Sequence, residues 1–172
     1  MWSHIVMKKV ILKILLLLLM IMIYQGKARA QQLKFINDSD LQQIIKNPDN
    51  KLFVISFWAS WCPPCVREMP VFQEVAFSYN ATEVKFIMVS MDFPDKMDSQ
   101  LLPFLRNNDI NLEVNLMMDT DYLNWSDKVD PSFLGNIPAT LFINNAKKIR
   151  YFHTGELAET ELRSLIDKYR KQ

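Results

Sequence analysis

WASWCPPCVREMP, residues 58–70, contains both cysteines of the chain, Cys62 and Cys65, with Pro63 and Pro64 between them. The residues just upstream, Leu52 to Phe57 (LFVISF), form a continuous apolar run rich in β-formers, the pattern of a buried strand. Downstream, a helix is expected to begin at the cysteines and run to about Tyr79. Pro63 and Pro64 suit its first turn, where a missing N–H costs nothing. Pro70 falls inside it and is expected to kink it.

This placement bears on the sulfur chemistry. A thiol at a helix N-terminus faces unpaired N–H groups and the positive end of the macrodipole, which lowers its pKa. The thiolate is the form that attacks disulfides. Cys65, one turn on and more buried, is placed to resolve a mixed disulfide formed at Cys62. The two prolines hold the pair pre-organised in both oxidation states. Other uses of two cysteines remain open. A structural staple gains little, because the closed loop is very short and chain-entropy stabilisation grows with loop length. Zinc needs about four ligands, and beyond residue 30 the chain offers no second cysteine pair and one histidine, His153. Copper(I) is served by two soft ligands, so a carrier role competes with redox catalysis.

Outward from this motif, strand and helix patterns alternate. Leu33–Ile36 reads as a short strand. Asp38 or Ser39 can cap a helix through about Lys46. Asn47-Pro48-Asp49-Asn50 is turn chemistry. Val84–Ser90 reads as a buried strand, Lys96–Asn107 as a helix, Leu112–Met117 as a strand and Asp119–Lys128 as a short helix. Ala139–Asn144 and Lys148–Phe152 read as a hairpin across Asn144-Asn145. A helix from Leu157 or Ala158 to about Arg170 closes the chain. The sum is an α/β sandwich with a central mixed sheet flanked by helices. Phe57, Trp58, Trp125 and most methionines read as packing residues, and His153 as a hairpin residue away from Cys62.

Charge is unevenly spread. Residues 1–30 carry five basic side chains (Lys8, Lys9, Lys13, Lys27, Arg29) and no acid, so residues 31–172 hold 15 basic and 19 acidic groups, net −4. That excess of acid argues against a nucleic-acid partner. Lys8 and Lys9 precede the apolar run Ile14–Ile23, and Ala28-Arg29-Ala30 follows. This order is that of a secretory signal peptide, with cleavage after Ala30 and a mature domain over 31–172. The run is shorter than the roughly 18 apolar residues of a membrane span. An uncleaved N-terminal anchor is the alternative, and Met7 competes with Met1 as the start. Export would place the cysteine pair where disulfides persist.

Phe57-Trp58-Ala59-Ser60-Trp61-Cys62-Pro63-Pro64-Cys65 resembles the active site of the thioredoxin superfamily, and Asn136-Ile137-Pro138-Ala139-Thr140 resembles its cis-proline loop. Within it, the chain most resembles the exported TlpA/ResA-like thiol-disulfide oxidoreductases. The leader, an inserted helix–strand segment between Ser90 and Asp119, and a glutamate three residues after the second cysteine (Glu68) followed by Pro70 all point there. The resemblance implies a thioredoxin-like fold and a reductase in which Cys62 attacks and Cys65 resolves. Glu68 would tune proton transfer. Trp61, Pro63, Pro64, Ile137 and a cis Pro138 would border the client peptide, Ile137 through its backbone. It implies no metal and no dissociable cofactor. Its partners would be disulfide-containing clients such as apocytochrome c or other envelope proteins, recharge would come from a membrane thiol donor, and the protein would be a monomer in the periplasm or cell envelope. Thioredoxins carry a buried aspartate six residues before the first cysteine; here that residue is Ser56. Three other activities fit less well. A disulfide donor or isomerase shares the motif, a Cu(I)-binding assembly factor usually spaces its cysteines differently, and a peroxidase needs a peroxidatic-cysteine motif that is absent.

Overall fold

The computed structural model describes residues 7–9, 11–16 and 33–172. Residues 7–9 and 11–16 are helical, while most of the apolar run and the Ala28-Arg29-Ala30 exit lie outside the described residues. The chain divides into two units, Met1–Ala30 and Gln31–Gln172. No helix among the described residues is long and apolar enough to cross a membrane.

Six strands form one sheet: β1 (Leu33–Ile36), β2 (Leu52–Trp58), β3 (Val84–Ser90), β4 (Val114–Met117), β5 (Ala139–Asn144) and β6 (Ile149–Thr154). Their order is β1-β4-β3-β2-β5-β6. The first four strands in this order run parallel, and β5 and β6 run antiparallel to their neighbours, so the sheet is mixed as expected. β4 comes from the inserted segment and fits between β1 and β3. β2 is buried along its whole length, because helices cover both of its faces.

Alternate residues of β2 feed two cores. Val54 and Trp58 pack with α2 (Pro63–Ser78) and α5 (Glu159–Arg170), through Met69, Phe72, Leu162 and Ile166. Phe53, Ile55 and Phe57 pack on the other face with α1 (Asp38–Ile45) and α4 (Ser126–Val129). There the Phe57 ring lies 5.0 Å from Phe133 and 6.1 Å from Trp125, centroid to centroid. Trp58 and Trp125 are buried, as packing residues should be.

Three local details differ from the sequence expectation, each for a visible reason. The cap of α1 is Asn37, whose side chain accepts from the Asp40 amide while the Asp40 carboxylate accepts from the Asn37 amide, both at 3.0 Å. The Lys96–Asn107 helix is broken into a 3₁₀ turn at Pro94–Lys96, a π turn at Met97–Leu101 and α3 (Leu102–Asn107). Pro103 has no N–H to offer the Ser99 carbonyl, and the wider winding upstream accommodates that gap. In the Asp119–Lys128 stretch, Asp121 caps a 3₁₀ turn (Tyr122–Asn124) and only then does α4 begin. By contrast, α2 runs through Pro70 without a break.

Candidate active site

The parallel strands β1 to β4 share one C-terminal edge, and ligands of open α/β sheets gather at such edges. The cysteines sit there. Cys62 is the N-cap of α2 and Cys65 lies in its first turn, with Pro63 and Pro64 as the first two helical residues. The two cysteines form a disulfide, with Cα atoms 5.3 Å apart. Cys65 is wholly enclosed, and Cys62 is 4% exposed.

The donors around this sulfur pair are few. A helix start normally presents several free N–H groups. Here Pro63 and Pro64 have none. The Val66 amide is taken by the Cys62 carbonyl at 3.0 Å. Among the described residues only the Cys65 amide donates to Cys62 Sγ, at 3.4 Å.

The Ile137–Pro138 peptide is cis. It brings the Ile137 carbonyl oxygen 3.8 Å from Cys62 Sγ. Trp61 precedes the pair and stands half in solvent, 51% exposed. Trp61, Pro63, Pro64, Ile137 and Pro138 thus flank the sulfurs, from two segments far apart in sequence.

Glu68 occupies the helix turn after Cys65. An exposed position at a helix start would have made it an ordinary dipole-favoured acid, but it is buried, 3% exposed. Its Oε2 accepts from the Leu157 amide at 3.1 Å, and its Oε1 has no hydrogen-bond partner among the described residues. Burial pushes the Glu68 carboxyl up to about 7; the Glu156 charge adds to the rise and the Leu157 hydrogen bond opposes it. Arg67 next door pairs with Glu156 at 2.5 Å on the surface. Together these contacts tie α2 to the loop before α5.

Ser56 lies behind the pair on β2, directly opposite Thr140 on β5. Both hydroxyls are buried and have no hydrogen-bond partner among the described residues. The site of a thioredoxin's buried acid is therefore only weakly polar here, and Glu68 is the titratable group at hand.

Sequence reading missed Asp92. It is 1% exposed and sits just past β3. Its carboxylate accepts from the Ser60 amide at 3.0 and 3.2 Å, from Ser60 Oγ at 2.5 Å and from Ser90 Oγ at 2.7 Å. This fixes the backbone two residues before Cys62. The available signal was a serine–x–aspartate pair ending a strand, whose partner lies 32 positions upstream. His153 stands opposite Thr140 on β6.

Fold and dithiol together define a thioredoxin-like protein-disulfide oxidoreductase. Comparison with known proteins agrees. The AhpC/TSA family matches residues 27–152, and the chain belongs to that family. The thiol-disulfide oxidoreductase ResA of Oceanobacillus iheyensis is 26% identical over 138 residues, covering 79% of this chain and 67% of that one. The sporulation thiol-disulfide oxidoreductase A of Bacillus subtilis is 22% identical over 91% of this chain and 95% of its own. Among solved structures, a thioredoxin-related protein from Neisseria meningitidis superposes with a TM-score of 0.63 at 21% identity, over 76% of this chain and 90% of that one.

Proposed function

We propose that the protein is an exported reductant of protein disulfides. The single donor at Cys62 Sγ carries the direction of this reading. Strong oxidants of this fold owe their potential to a stabilised reduced form. Two prolines remove two of the donors that a helix start offers and leave the Cys65 amide, so a Cys62 thiolate gains less than it would at a fully equipped helix start. The disulfide is then the favoured state of the enzyme, and its dithiol gives up electrons readily.

In the reduced enzyme the Cys62 thiolate attacks one sulfur of a client disulfide, and the client's other sulfur leaves as a thiolate. Cys65 then loses its proton and attacks Cys62 Sγ. The mixed disulfide breaks, the client departs with both sulfurs reduced, and two electrons have passed to it. Glu68 is the acceptor for the Cys65 proton; a carboxyl with a pKa of about 7 takes and returns a proton at neutral pH. Trp61 and the Ile137–Pro138 backbone border the client, and Pro63 and Pro64 hold the pair. No dissociable cofactor enters the cycle.

Residues 1–30 act as a signal peptide, or as an anchor if uncleaved, and residues 31–172 as the catalytic domain in the periplasm or cell envelope. The relatives named as thiol-disulfide oxidoreductases support the activity, and the basic, apolar, small-residue leader supports export. Clients would be envelope proteins with disulfides, apocytochrome c among them, and a membrane thiol donor would recharge the enzyme.

The test is the reduction potential of the Cys62–Cys65 pair, by equilibration of the purified protein in defined thiol buffers. A value near about −270 mV, that of thioredoxin, is expected. A value near about −120 mV would reverse the assignment to a disulfide donor. If no reversible disulfide forms, copper(I) titration becomes the next experiment. Cys62→Ser should abolish exchange, and Cys65→Ser should arrest it as a mixed disulfide visible by mass.

A further inference from the structure

Beside Trp61 the surface opens into a cavity of about 160 Å³. Its walls include Trp61, Phe93, Met117, Tyr122, Trp125 and Gly135. Met117 ends β4, and the others arrive from the connections after β2 and β3 and from the one that joins β4 to β5. All of these meet at the same sheet edge as the disulfide.

The cavity is lined mostly by apolar side chains; Asp92, Asp119 and Thr120 also line it, and the buried polar groups are already engaged. The Asp92 carboxylate is occupied by Ser60 and Ser90. Trp125 Nε1 donates to the Asp119 carbonyl at 2.9 Å. Around the mouth, Trp61, Phe93 and Tyr122 are exposed rings, 51%, 53% and 39% accessible. A monomer that leaves several rings together in water is commonly showing a contact surface.

Gly135 sets the shape of one wall. Its φ is +81°, and a Cβ there would fall 2.2 Å from Tyr122 Cδ2. The bare Cα lets the tyrosine ring lie against the backbone, two residues before the Ile137 carbonyl that touches Cys62 Sγ.

Resting on the oxidoreductase reading, we infer that this cavity is a subsite for an aromatic side chain of the client, carried close to its reactive half-cystine. The volume fits: an apolar cavity of ~150 Å³ in a protein interior holds a benzene ring. The walls fit too, since rings pack on rings edge-to-face or offset. A lysine would be drawn to the exposed ring faces and to the Asp119 carboxylate, which also lines the cavity, so the Lys peptide is the rival that the experiment separates from the Phe peptide. The subsite makes the enzyme selective among disulfides according to the residue beside them.

The experiment uses disulfide peptides identical but for one residue next to the half-cystine: Phe, Leu, Lys or Gly. For wild type, Phe93→Ser and Tyr122→Ala, kcat/KM on each peptide is divided by that variant's rate on 2-hydroxyethyl disulfide, which has no side chain to seat. The wild type should favour Phe over Gly by on the order of tenfold, and both variants should bring the ratio close to one. Equal wild-type rates, a preference for Lys, or a Phe preference that survives both variants would overturn the subsite. So would a concentration-dependent self-association that the same substitutions abolish, which would assign the cavity to a second copy. If 2-hydroxyethyl disulfide itself is not reduced, the catalytic reading fails separately. Binding of peptides with Ser in place of Cys, followed by the fluorescence of Trp61 and Trp125, then decides the subsite alone: tighter binding of the Phe peptide upholds it and equal binding sinks it.

Discussion

Asp92 and Glu68 are both buried carboxylates beside the disulfide loop, Asp92 through its bonds to Ser60 and Glu68 in the helix turn after Cys65, and they are equipped in opposite ways. Asp92 collects donors on both oxygens, from Ser60 and Ser90. Glu68 has one amide on one oxygen and nothing on the other. A buried acid with full partners serves as a structural pin, because removing it strands the buried donors that it binds. A buried acid left half-partnered sits near the balance between charged and neutral, which is where a proton carrier works. The same chemical group thus plays two parts, decided by its count of donors.

The contrast is broken most forcefully at Glu68. Glu68→Gln should slow resolution of the mixed disulfide by roughly 100-fold and remove the kinetic step with a midpoint near 7 from the pH profile. Stopped-flow tryptophan fluorescence at several pH values would register both, and an unaltered profile would take the proton-carrier role from Glu68.

The stability of the fold sharpens the same point. The Glu68 carboxyl is raised in the folded state to about 7 from an ordinary value of 4.5. Its contribution is therefore fully present below pH 4.5 and is lost as pH climbs through 7. Relative to Glu68→Gln, the wild type should weaken by on the order of 3 kcal/mol across that window, as read by denaturant melts at pH 4.5 and 8. A parallel pH dependence in the two proteins would show that the carboxyl is not perturbed.

Asp92→Ala attacks the pinned acid. It strands the Ser60 and Ser90 donors and should cost about 2 kcal/mol in the same melts. Asp92→Asn, which keeps one acceptor, should recover part of that. Equal losses for the two would mean that charge, rather than bonding, is what holds Ser60.

The smallest effect is expected at Ser56. Its hydroxyl is buried with no hydrogen-bond partner among the described residues, so Ser56→Ala breaks no bond between them. A change within about 0.5 kcal/mol of zero is expected. A clear loss would place an ordered water between Ser56 and Thr140.

Much of this was legible in the chain. The buried strands announced themselves as unbroken apolar runs, and the cysteine turn marked the start of α2, because these signals are local. The cis-proline loop was found through its resemblance to a family motif. The burial of Glu68 was also readable in principle: Cys65, Glu68, Met69 and Phe72 follow the i, i+3, i+4, i+7 spacing of one helix face. An acid on that face is an exception worth noticing. Asp92 left less trace, since its distant partner, Ser60, comes from a loop that only the parallel pairing of β2 and β3 brings alongside. The broken helix at 94–107 was misread because hydrophobic spacing survives a change of winding, while Pro103 does not permit a regular one.

The hydrogen bond from the Leu157 amide to Glu68 has a practical corollary. That amide belongs to the loop before α5, far along the chain from either cysteine, yet its proton rests on the carboxylate that titrates. Its chemical shift should therefore follow Glu68 through its protonation curve. A single backbone resonance becomes a built-in spectator of the acid, readable in the oxidised and the reduced enzyme alike without labelling or altering a sulfur.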